Sequence, residues 1–159
     1  MLSAQQIYAI APLGSLLRFS SGEPRPPERF TRKLRAWKND NGTGRLVERH
    51  GEYLGKLTRH APTFTLHLGD FGAEGTIVLS VRQTFSTEGA KQFEILETPK
   101  PGTVRVLTSF DDCDELRHLA PDMASAERWM ATNRYSNMRA EIVPDPDPVI
   151  PPVTRRQAV

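Results

Sequence analysis

Thr63-Phe64-Thr65-Leu66-His67-Leu68 places an apolar side chain at every second position, and the fold class follows from reading outward from it. A period of two puts Phe64, Leu66 and Leu68 on one face of a pleated strand and Thr63, Thr65 and His67 on the other. Gly69-Asp70-Phe71-Gly72-Ala73-Glu74-Gly75 reads as a loop. Ile77, Leu79, Val81 and Phe85 then alternate with Thr76, Ser80, Arg82 and Thr84 in a returning strand. A turn over 86–90 leads into Gln92-Phe93-Glu94-Ile95-Leu96, and Pro99-Lys100-Pro101-Gly102 turns the chain again into Val104-Arg105-Val106-Leu107. Short loops between successive strands predict antiparallel neighbours, hence a meander of four strands, with 115–120 as a candidate fifth.

Toward the N-terminus, Ile7-Tyr8-Ala9-Ile10-Ala11 is wholly apolar and suits a strand buried on both faces. Pro12-Leu13-Gly14-Ser15 turns it into a second strand at Leu16-Leu17-Arg18-Phe19. Gly22-Glu23-Pro24-Arg25-Pro26-Pro27 is too rich in proline for ladder or helix and reads as a connector. Pro27 suits a first helical turn and Glu28 complements the helix dipole. Phe30, Leu34 and Trp37 follow at helical spacing, so the expected helix buries that stripe on the sheet until Asn39-Asp40-Asn41-Gly42 ends it. Residues 45–60 fit neither period.

A second helix is expected over 122–134, with Met123, Ala126, Trp129 and Met130 on one side, and a closing strand over 138–143. The predicted fold is an α+β domain over 1–143, an antiparallel, meander-rich sheet with two helices packed on one face. Residues 144–159 carry proline at nearly every other position; they read as a disordered Pro-rich tail whose deletion leaves stability nearly unchanged.

Composition fits one globular domain: 159 residues, 38% hydrophobic and 25% charged. The longest apolar run ends at Leu13, well short of the ~20 residues of a membrane span. No basic stretch precedes an apolar core near Met1, so no signal peptide is expected, and one cysteine excludes an intramolecular disulfide; both point to the cytoplasm. Arginine outnumbers lysine sixteen to five, the codon bias of a GC-rich bacterial genome.

Catalytic signatures are absent from the sequence: no phosphate loop, no nucleophile elbow and no paired-histidine zinc helix. Gly42-Thr43-Gly44 lacks the third glycine of a dinucleotide fingerprint. Cys113 sits within Asp111-Asp112-Cys113-Asp114-Glu115, where four carboxylates disfavour a thiolate nucleophile. The segment reads as an acidic surface turn rather than a calcium loop, because Leu116 stands where that loop needs glycine. None of His50, His60, His67 and His118 pairs at i, i+3 or i, i+4, so neither a metal site nor a cofactor is predicted. His67 with Asp70 three residues on is a candidate acid–base pair for a small enzyme cleft.

The strongest feature is electrostatic. Residues 18–49 hold nine basic and four acidic side chains, so a net +2 over the chain conceals +5 here. Arg29, Arg32, Lys33 and Arg35 lie off the apolar stripe of the first helix, with Arg18 and Arg25 beside it. The expected function is that of a small, soluble, non-enzymatic binding or regulatory protein contacting nucleic acid through these six residues. The rival readings are docking of an acidic protein on the same face, the His67–Asp70 cleft, and a solvated surface balanced by 111–115. A homo-oligomer through an unpaired sheet edge is a further expectation.

Overall fold

The computed structural model describes residues 1–145. The chain opens with β1 (Leu2–Ser3), α1 (Ala4–Ile10), β2 (Leu16–Ser20), α2 (Thr31–Asp40) and β3 (Gly42–His50). A small hairpin of β4 (Tyr53–Leu54) and β5 (Arg59–His60) precedes the long β6 (Thr63–Ala73) and β7 (Thr76–Ser86). β8 (Gln92–Glu97), β9 (Val104–Phe110), β10 (Cys113–Ala120), α3 (Met123–Thr132) and β11 (Met138–Ile142) follow. The architecture is α+β: a mostly antiparallel sheet with three helices. No helix among the described residues is long and apolar enough to cross a membrane.

The alternation at Phe64 and Leu66 does make β6, and both side chains are fully buried. The segment 69–75 is no loop, however. β6 runs on to Ala73 and only Glu74 and Gly75 turn, both at positive φ, the backbone of a two-residue hairpin turn. The meander is likewise corrected: β6 pairs β7, but β8 leaves them to lie between β1 and β2, and β9 lies between β10 and β11. β3 organises this arrangement. One edge meets β6 from Arg45 to His50; the other meets β2 at 42–45 and then β10 at Glu48. Two wings, β2-β8-β1 and β10-β9-β11, therefore diverge from a shared strand.

Each wing has its own core. α1 covers the first through Ala4 and Ile7, which join Leu17, Phe19, Leu46, Phe64, Leu66, Phe85 and Phe93. The expected strand at 7–11 is helix because Ser3 and Gln6 cap one another: the Ser3 hydroxyl accepts from the Gln6 amide and the Gln6 side chain from that of Ser3. α3 covers the second wing, with Ala126 buried against Val104, Val106 and Ala120 and Asp122 capping its N-terminus. Val47, Leu107 and Leu116 fill the space at β3.

α2 departs from expectation. It begins at Thr31 rather than near Pro27, has no side-chain cap and buries no residue. Phe30 is 43% exposed and Leu34 and Trp37 are only half-buried, so the expected stripe does not dock on the sheet. Two helices on one face are thus replaced by one helix per wing and a third standing off the body. Polar contacts tether it at its C-terminal end. The Trp37 indole donates to the Glu23 carbonyl at 2.9 Å, and the Asn41 amide joins Ser20, Ser21 and the Trp37 carbonyl. Trp37→Ala is consequently expected to cost about 1–2 kcal/mol, a hydrogen bond plus partial burial, not the ~3–5 kcal/mol of a core aromatic. Urea unfolding measures the difference.

Residues 45–60, unassigned by period, contain the second half of β3 and the β4–β5 hairpin. Most of the proline-rich tail lies outside the described residues, from 146 on. Val143, just before it, is buried and exchanges backbone hydrogen bonds with Gly102 and Thr103.

Candidate functional site

The six cations named from sequence divide in two. Arg18 pairs with Glu94 at 2.8 Å and Arg25 with Glu28 at 3.4 Å, so both are neutralised by exposed partners. Arg29, Arg32, Lys33 and Arg35 are exposed and form no ion pair with any described residue. Two acids of the segment 111–115 expected to balance that face are engaged elsewhere. Asp114 grips Arg139 through both oxygens, at 2.6 and 2.9 Å, and Glu115 sits between Arg82 at 2.5 Å and Arg117 at 3.1 Å. The positive face of α2 thus meets no acid within ion-pair distance among the described residues. It carries an aromatic as well: the Arg29 guanidinium lies 4.8 Å and the Lys33 ammonium 5.5 Å from the Phe30 ring centroid.

A second locus is a cleft of about 670 Å³ between the β6–β7 hairpin and the β10–α3 side of the other wing. His67 and Asp70, suspected from sequence, are both in its wall, with His67 Nε2 and Asp70 Oδ1 2.7 Å apart. A bulge between His67 and Gly69 brings them together by bending β6 there. The hydrogen bond from His67, then one from Ser80, holds the Asp70 carboxyl below its usual range.

The opposite wall is a column no local pattern announces. His118 stacks on Trp129 at 4.8 Å with rings 3° from parallel, Trp129 on Tyr135 at 6.2 Å, and the Arg117 guanidinium covers Tyr135 at 4.5 Å. Burial pushes the His118 pKa down, which favours the neutral imidazole. Arg117 is further fixed by donation from Nε to Thr108 Oγ1 at 3.0 Å. The cleft offers oriented imidazoles and flat faces. Two of its guanidiniums, Arg82 and Arg117, are largely spent on Glu115, while Arg45 donates to the Gly14 carbonyl at 2.5 Å.

The turn at 110–113 is acidic and sharp, with Asp111 and Asp112 both at positive φ. Cys113 follows it, its thiol pushed up by burial and then by the Glu48 charge. Where β10 meets β3, Glu48, His50 and Cys113 converge. Sequence reasoning missed this cluster: residues 45–60 fit neither period, so Glu48 and His50 could not be placed on one strand face, and Cys113 comes from across the sheet.

Fold and surface define a small antiparallel α+β protein with two diverging wings, a projecting basic helix and a polar cleft. The chain belongs to the family described as Uncharacterised conserved protein UCP036055, whose model matches residues 2–147. No curated protein and no solved structure matches it.

Proposed function

We propose that this protein is a non-enzymatic nucleic-acid-binding protein that engages its partner with the outward face of α2. The observation that carries this reading is that Arg29, Arg32, Lys33 and Arg35 project from a helix that buries nothing and meet no described acid. A helix kept off the core keeps its whole polar circumference available, and four uncompensated cations displace condensed counterions from a phosphate backbone. Phe30, exposed between two of those cations, favours nucleic acid over an acidic protein because it provides a stacking platform for an unpaired base.

Fluorescence anisotropy with labelled duplex and single-stranded DNA and RNA tests it. With about four phosphate contacts, raising salt from ~50 to ~200 mM should lower affinity roughly 150-fold for duplex and roughly 50-fold for a single strand. Arg29→Glu with Arg32→Glu should abolish binding and leave the circular dichroism unchanged, since both side chains are exposed. Phe30→Ala should weaken single strands by roughly 5–150-fold, the value of one base stack, and duplex little. Absence of binding to every probe at ~50 mM salt overturns the reading.

The cleft favours a second reading, a small enzyme. Its specific support is the 2.7 Å His67–Asp70 pair in the cavity wall, an arrangement that orients an imidazole for proton transfer. A protein that binds no nucleic acid, but whose His67 resonances shift with a small ligand and cease to do so in Asp70→Asn, would be of this kind.

A further inference from the structure

We propose that Glu48, His50 and Cys113 form a binding site for a divalent transition-metal ion of the zinc class, with a fourth position open to solvent. The site is separate from α2 and does not depend on the nucleic-acid reading.

Backbone register brings the three together. β3 and β10 are antiparallel with Glu115 across from Glu48, and two residues further the same register sets Cys113 across from His50. Alternation along each strand puts Glu48, His50 and Cys113 on one face. One atom from each converges: Cys113 Sγ is 4.0 Å from His50 Nε2 and 3.8 Å from Glu48 Oε1, and those two are 2.9 Å apart. Tetrahedral zinc, with bonds of about 2.3 Å to sulfur and about 2.0–2.2 Å to nitrogen and oxygen, separates its ligands by about 3.4–3.6 Å. Shifts of about half an ångström bring the trio to that spacing.

The arrangement is wrong for a catalytic triad. There one imidazole nitrogen faces the thiol and the other the carboxylate, whereas here Nε2 faces both. A single point approached by S, N and O donors is what a cation fills. Thiolate and imidazole donors select zinc, cobalt or nickel over magnesium and calcium. Glu48, His50 and Cys113 also line a cavity of about 380 Å³, which leaves the fourth position accessible. That cavity shares Arg117 and Tyr135 with the larger cleft, so a ligand on the metal would face the aromatic column. Binding breaks the Cys113 S–H bond, now directed at the Arg49 carbonyl at 3.0 Å. A sulfur–metal bond forms and one proton leaves to water.

Cobalt(II) titration of the full chain under reducing conditions tests the site. The expected result is a sulfur-to-cobalt charge-transfer band saturating at one ion per chain and abolished by excess Zn²⁺. Cys113→Ser should lose that band. His50→Ala should weaken cobalt binding by more than the ~10–100-fold typical of losing an outer-shell partner. His60→Ala, on β5 outside the cluster, should bind as the parent does. Absence of a charge-transfer band in the parent chain overturns the proposal whatever the variants do. A band that survives Cys113→Ser, or an equal loss in His60→Ala, overturns it too.

Discussion

Phe64→Ala is expected to destabilise the protein by about 3–5 kcal/mol, the range for a large aromatic removed from a core that cannot collapse around the gap. Phe64 has no solvent exposure and stands where four strands meet. Its ring centroid is 5.6 Å from that of Phe85 and 5.3 Å from that of Phe93; Phe85 in turn lies 5.0 Å from Phe19 and 5.2 Å from Phe93. Three tilted or edge-on contacts, Phe64–Phe93, Phe85–Phe93 and Phe19–Phe85, thus involve Phe64 or its partner Phe85, and such contacts supplement area burial by about 0.5–1.5 kcal/mol each. The four rings come from β2, β6, β7 and β8, so this contact joins the first wing to the base of the long hairpin. Urea unfolding measures the loss. Val78→Ala, 79% exposed near the hairpin tip, is the control and should change stability by less than ~0.5 kcal/mol. Similar costs for the two would mean that the hairpin base is not the core.

Gly44→Val should cost about 3 kcal/mol or more, at or beyond the upper end for overpacking. Gly44 is buried on β3, across from Leu17 of β2, where β6 closes over it. A β-carbon there would lie 2.6 Å from Leu68 Cδ2, 2.9 Å from Leu66 Cβ and 3.0 Å from the His67 carbonyl oxygen. The leucine tip can swing away; a β-carbon and a carbonyl oxygen on a paired strand cannot. Valine adds two methyl groups to that conflict and forces β6 away from β3. Because His67 is on the displaced segment, chemical shifts around the cleft should move as well. Gly51→Val is the comparison, since nothing lies within 4 Å of a β-carbon at Gly51, and it should be near neutral. A well-tolerated Gly44→Val would mean that β3 and β6 are further apart than the contacts at Gly44 require.

The local features were the readable ones. α3 was visible in the spacing of Met123, Ala126, Trp129 and Met130. β6 was visible in its alternation, and the sharp acidic turn at Asp111 and Asp112 in its composition. The error at 7–11 came from weighing an apolar run above its cap: Ser3 and Gln6 signal a helix start, but a short apolar run alone fits a buried strand or a buried helix equally. The stripe of α2 was real as a pattern and wrong as a prediction of burial. Phe30, Leu34 and Trp37 recur at helical spacing, yet Phe30 stays exposed and Leu34 and Trp37 are only half-buried, so none of them joins a core.

The candidate sites divide along the same line. The basic residues of α2 and the His67–Asp70 proximity are separated by only a few positions, so local spacing reveals them. The column of Arg117, Tyr135, Trp129 and His118 is made by packing α3 and the segment after it against β10, and the meeting of Glu48 and His50 with Cys113 by pairing of β3 with β10. Read alone, the sequence determined the strand period of β6 and β7, the helical period of α2 and α3, the acidic turn before Cys113, and that positive charge concentrates in 18–49. Only the tertiary structure decided that β8 joins β2, that β3 serves two wings, that α2 stands clear of the body, and that a cysteine faces a histidine sixty-three residues away. Period and turn chemistry belong to a segment and are legible within it. Which strand edge that segment meets depends on burying apolar surface over the whole chain at once, in a register that distant residues share.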